Sequence, residues 1–209
     1  GYKGSKTNST AYTGQIARQL LHNSLKKLAS TGNPNDPTKK GFKTMMKYYE
    51  SKDKSKSMAI LDPKSSSKFP VKQKNIGEIS SGSNLVGKTD KRKQTSWPNN
   101  MTGVEVLKFM IKKAGSTKGG VDTRNGMNYP QLISKYAMGA ILYHQACDNY
   151  LDEKMSADVK PNDKPYKKGA PYTGKEHSWD EAFGYWGAAA HTMTLTAKQS
   201  YNVTKKKGL

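Results

Sequence analysis

Residues 14–28 read GQIARQLLHNSLKKL, and this stretch decides the fold class. Ile16, Leu20, Leu21, Leu25 and Leu28 recur at steps of three and four, which lays apolar side chains along one face of an α-helix. Ser30-Thr31-Gly32-Asn33-Pro34 closes it, since glycine and proline stop helices and small polar residues favour turns. The same period returns further along the chain. Phe42, Met45, Met46 and Tyr49 predict a second helix over 38–53. Thr102-x-x-Glu105 is a capping box, in which each side chain satisfies an amide that the first turn leaves free. It opens a helix through Val106, Phe109, Met110 and Ile111 to Ala114-Gly115. Pro130 suits the first turn of another, with Ile133, Tyr136, Ala137, Ala140, Tyr143, His144, Cys147 and Leu151 on its buried side. A last helix is expected over 177–198. With no convincing alternating strand pattern, the expectation is an all-α chain: an irregular bundle of four to five helices with long polar loops. It forms a single domain over 1–209, whole or a truncated or processed part of a longer one.

The loops follow from composition. The chain holds 12 Leu, 7 Ile, 7 Val and 4 Phe in 209 residues, below the roughly 20% under which a highly charged chain struggles to build an aliphatic core. Twelve Tyr, nine Met and three Trp partly compensate, because these side chains bury large areas and fill irregular gaps. Residues 54–100 are dense in Ser, Lys, Gly and Pro and read as one long basic loop, functional, mobile or ordered by a partner. Residues 154–173, with Pro161, Pro165 and Pro171, read as another.

Charge narrows the functional classes. Thirty-six basic against 16 acidic residues give a formal net charge of +20, which suits an anionic surface or polymer. Only Arg18, Arg92 and Arg124 are arginine, and base reading favours arginine's bidentate fork, so sequence-specific nucleic-acid recognition is disfavoured. The single Cys147 allows no intrachain disulfide, and no run reaches the roughly 18 apolar residues of a membrane helix. Gly82 to Thr89 matches the GxxxxGK[ST] phosphate-loop pattern, but the flanks lack the buried strand and following helix that aim its amides at phosphates.

Glu176-His177-Ser178-Trp179-Asp180-Glu181 is the most informative polar segment. On a continuous helix His177 and Glu181 stand one turn apart, and Gly184, Ala188 and His191 stay within about 40° of His177. Two imidazoles and a carboxylate on one face, with Asp180 at its border, suit iron, zinc or manganese, and a neighbouring helix offers His144 or Glu153. The same residues also read as pure structure. Ser178-x-x-Glu181 is itself a capping box that leaves His177 just outside the helix, while Trp179, Phe183, Tyr185 and Trp186 anchor the core.

Three blocks, Tyr12 to Arg18, Tyr136 to Ala140 with the helix that follows, and His177-Ser178-Trp179-Asp180-Glu181-Ala182-Phe183-Gly184-Tyr185, resemble a family of bacterial exported domains of unknown function. That family looks distantly like the imelysin group, helical proteins linked to iron acquisition. The resemblance implies a periplasmic, outer-membrane-associated or extracellular placement and a Gly-x-His-x-x-Glu metal motif. Here Gly174 precedes His177 by three positions and Asp180 takes the acidic one.

The expectation is an exported or cell-surface binding protein with no demonstrable catalysis, with iron or another transition metal expected at His177, Asp180, Glu181 and His191. Two alternatives stand beside it: a structural subunit of a surface assembly that orders its loops against a protein partner or further copies, and nonspecific polyanion binding. These differ in salt dependence and in oligomeric state.

Overall fold

The structure, a computed structural model, describes residues 12–67, 70–187 and 194–205. The chain is mostly helical, as its periodicity predicts. Helix α1 spans Thr13–Ala29 and α2 Lys40–Glu50. A short α3 covers Gly77–Ser80, and α4 runs Gly103–Gly115 behind the Thr102/Glu105 capping box. A two-residue antiparallel pair, Val121–Asp122 with Met127–Asn128, leads into α5, Tyr129–Ala137. The chain continues from α5 without a break into a π-helix, Met138–Lys154. Helix α6 spans Gly174–Trp186 and α7 Ala197–Thr204. Among the described residues no helix is long and apolar enough to cross a membrane.

Helix α1 is the central strut, packed by α2, α3, α5 and α6. Its innermost stripe is Ala17, Leu21, Leu25 and Ala29, all fully buried, whereas the predicted Ile16 is 39% exposed. Small Ala17 and Ala29 at the ends of that stripe let neighbouring elements approach closely. Met45 and Tyr49 of α2, Leu107, Ile111 and Ala114 of α4, and Ile133 of α5 complete the centre.

The 54–100 region is irregular yet built into this core. Met58, Ile76 and Leu85 are fully buried, with Ile60, Leu61, Ile79 and Val86 packed beside them. The buried carboxylate of Asp53 staples the region: Oδ1 accepts from the amides of Ser57 (2.6 Å) and Met58 (3.0 Å), and Oδ2 from Gly77 (2.7 Å). A carboxylate that accepts several backbone amides is well satisfied, so its burial is tolerated.

The π-helix changes which side chains face inward. Ile141, Gln145, Ala146 and Tyr150 are buried at steps of four and five, while Tyr143 is 59% and Leu151 40% exposed. A 3.6-residue period predicts Tyr143 and Leu151 on the buried side. The wider winding, uncommon at this length and frequent near functional sites, moves the stripe out of that phase. The expected helix over 177–198 is corrected too. Thr173, not Ser178, is the N-cap: its Oγ1 accepts from the Glu176 amide (3.2 Å), and Glu176 Oε2 accepts from the Thr173 amide (2.7 Å). Gly187, at φ 79°, ends the helix in the left-handed conformation that favours glycine.

Candidate anion pocket on the π-helix and α6

Helix α6 lies along the π-helix, and their contact places two tyrosines side by side. The Tyr150 and Tyr185 rings are 5.8 Å apart, and both residues are buried. Gly184 permits the approach of α6 to α1, since a Cβ there would stand 2.5 Å from Cβ of Tyr12 and 2.8 Å from Cβ of Gln15.

Two cations lie over this tyrosine pair, and a third, Lys88, stands near enough to be repelled by both. The guanidinium carbon of Arg18, from α1, lies 5.7 Å from the Tyr185 ring centre, and its Nε donates to the Asn84 carbonyl (3.0 Å). Lys154, from the last turn of the π-helix, holds Nζ 3.9 Å from the Tyr150 ring centre. Lys88 arrives on the turn Val86–Lys88, whose carbonyl accepts from Gln145 Nε2 (3.1 Å). Burial, with Arg18 and Lys154 nearby, pulls the Lys88 ammonium below its ordinary range, against the opposing pull of Glu181. Burial lowers Lys154 in the same way.

Carboxylates lie nearby as well: Glu181 acts on Lys88 and Lys154, and Glu153 on Lys154. Burial and the hydrogen bond that the Tyr150 hydroxyl gives Glu181 push the Tyr150 phenol far above its usual range, and burial does the same to Tyr185. None of Arg18, Lys88 and Lys154 has a carboxylate within ion-pair distance among the described residues. The Tyr185 hydroxyl, on a side chain 1% exposed, finds no well-formed hydrogen-bond partner there either, although Arg18 lies beside it. This cluster thus sets three cations against two carboxylates and holds a buried polar oxygen with capacity to spare.

The residues predicted as a metal set are brought together in part. His177 Nε2 stands 3.7 Å from Glu181 Oε1 across one turn of α6. The loop before α6 pairs Tyr166 N–H with the Tyr172 carbonyl (2.8 Å) and lays both rings against His177, at 4.4 Å and 5.4 Å between centres. Asp180 is buried and instead borders a hollow of about 310 Å³ with Trp179 and Phe183. His191 lies outside the described residues, and α6 has already stopped at Gly187. Among the described residues no three His, Cys, Asp or Glu side chains gather as a metal would need. The His177/Glu181 pair alone falls short of the three protein ligands of an open zinc site.

His144 and Glu153, read as reserve ligands, line a cavity of about 460 Å³ with Asp90, Arg92 and Asp148. There Asp148 Oδ2 lies 2.9 Å from His144 Nδ1 and 2.5 Å from Arg92 Nη2, while Arg92 also holds Asp90 through Nε (3.0 Å) and Nη2 (2.8 Å). The Asp90 amide donates to the Ala140 carbonyl (2.8 Å), tying this loop to the π-helix. The Gly82–Thr89 match does not take phosphate-loop form. The Gly87 amide donates to Asn84 Oδ1 (3.1 Å), and Thr89 Oγ1 donates to the Leu85 carbonyl (3.0 Å) and meets Tyr49 Oη at 2.9 Å.

Sequence reasoning missed Arg18, Lys88, Lys154 and Tyr150 as a group. The one available signal was Arg18, an arginine among lysines at the edge of an apolar helix face.

No curated protein and no solved structure matches the chain. The family model described as "Domain of unknown function (DUF4856)" matches residues 5–206, nearly the whole sequence, and the chain belongs to that family.

Proposed function

We propose that this protein is a binding protein for a small anion, a carboxylate, phosphate or sulfate group taken up among Arg18, Lys88 and Lys154. The observation that supports the reading is the gathering of Arg18, Lys88 and Lys154, none of them ion-paired among the described residues, beside a buried tyrosine pair, with Glu181 and Glu153 as the carboxylates that act on them. Uncompensated charge in a partly buried site works against folding, and function is the usual reason for such a site to persist. An anion in the pocket would neutralise the excess and supply an acceptor to the Tyr185 hydroxyl. Calorimetric titration of the full chain with sulfate at low ionic strength tests this. Saturable one-to-one binding, lost in Arg18→Gln, is expected; heats unchanged by that substitution contradict it.

The distance of 3.7 Å between His177 and Glu181 supports a second reading, in which iron or another transition metal binds α6 with ligands beyond this pair. The imelysin-like character of the His177–Tyr185 block belongs to this reading, as does placement at the bacterial periplasm or surface. Elemental analysis of native-source protein after exhaustive dialysis decides it. About one equivalent of metal per chain supports the reading, and metal-free protein contradicts it.

A further inference from the structure

Further along α1 a groove of about 510 Å³ opens between α1, the α5/π-helix junction and the end of α6. Two of its walls are aromatic and lie open to solvent: Tyr143 is 59% exposed and Trp186 69%. Its charged rim is Lys26 and Lys135, and no carboxylate lines it among the described residues. Neither lysine is ion-paired among them. Between the lysines sits His22, 5% exposed, whose Nε2 donates to the Ser134 carbonyl (3.0 Å). Burial, with Lys26 and Lys135 nearby, lowers its proton affinity, so the ring is neutral and Nδ1 is its acceptor. Gln19 donates Nε2 to the Tyr185 carbonyl (2.7 Å) and keeps its Oε1, and the Asn23 amide is unbonded among the described residues.

The lining therefore combines exposed ring faces, neutral acceptors and unpaired cations. Ring faces suit the C–H side of a saccharide, the acceptors its hydroxyls, and the lysines a carboxylate. Exposed aromatics grouped at one groove mark a binding surface rather than a solvated face. We propose that this groove binds an acidic sugar, a uronic-acid residue of a polysaccharide, stacked between Tyr143 and Trp186 with its carboxylate toward Lys26 and Lys135. The groove borders the Arg18/Lys88/Lys154 site at Tyr185, but its lysines and exposed rings are its own, so the proposal stands whether or not that site binds an anion.

Titration of the full chain with tetragalacturonate, followed by tryptophan fluorescence for the native chain and by calorimetry for every variant, tests the proposal. Saturable quenching is expected, with maltotetraose binding at least about tenfold more weakly because it lacks the carboxylates. Trp186→Ala, and Lys26→Gln combined with Lys135→Gln, should each weaken tetragalacturonate by about tenfold or more with an unchanged circular dichroism spectrum. No quenching, equal binding of maltotetraose, indifference to Trp186→Ala, or tighter binding of a single-stranded thymidine oligomer in the same groove would overturn it.

Discussion

Arg18 and Tyr185 stand face to face, the guanidinium carbon 5.7 Å from the ring centre, although α6 has sealed the tyrosine from solvent. A cation over an aromatic face is held by the ring's negative quadrupole, and here it brings charge into a region that already holds Lys88 and Lys154. If those lysines are the anion's partners, alkaline pH must release it. Their ammonium groups titrate below the ordinary lysine value of 10.5, chiefly through burial. Sulfate stays fully ionised across this range, so its affinity should fall as pH rises from 7 toward 10. Calorimetry at several pH values checks this, and a flat profile speaks against the lysines.

The Arg92/Asp148/His144 cluster sets a pH dependence of opposite sign. Hydrogen bonding from His144, then Arg92, holds the Asp148 carboxyl below its ordinary 3.8; at Asp90, burial pushes the carboxyl up and the bonds from Arg92 outweigh it. A depressed carboxylate stabilises the fold above its unfolded value, and that contribution disappears as pH falls through the folded one. The Arg92 side chain is 66% exposed, so Asp148→Asn should cost no more than about 1 kcal/mol at pH 7. Urea unfolding should show this difference shrinking as pH falls below 3.8 and on through the lowered folded-state titration.

Packing of α6 on α1 gives a sharper loss. Gly184→Ala forces a methyl toward Tyr12 and Gln15 at distances no side-chain carbon tolerates. Overpacking of this kind should destabilise by about 1–3 kcal/mol, read by thermal or urea unfolding.

The start of α6 separates two hydroxyls that the sequence leaves in competition. Thr173→Ala removes the true N-cap and should cost about 1 kcal/mol. Ser178 only bonds back to the Gly174 carbonyl (3.0 Å), so Ser178→Ala should cost a few tenths of that in unfolding experiments.

Periodicity identified the helices because α1, α4 and α5 bury one face each and wind regularly. It named Leu21, Leu25 and Ile111 correctly as core. It failed where burial has no period. Met58, Ile76 and Leu85 enter the core from short apolar clusters at irregular spacing, held by Asp53 and by strand-like pairing between Met58 and Ile76 (2.9 Å). It also failed where the winding changes, putting Leu151 inside when the π-helix turns it out. At the site, His177 and Glu181 were legible because they share a turn of one helix. Arg18, Lys88 and Lys154 were not, since only the tertiary approach of α1, the Val86–Lys88 turn and the π-helix brings them together.

The most direct test of the anion pocket is a paired measurement on Lys88→Met: unfolding free energy without added anion, and sulfate affinity. Removing a partly buried cation that repels Arg18 and Lys154 should leave the unliganded protein unchanged or more stable by up to about 1 kcal/mol, while sulfate binding falls by about tenfold. A variant that is markedly less stable yet binds sulfate as before would show that Lys88 serves packing alone, and the pocket account would be wrong.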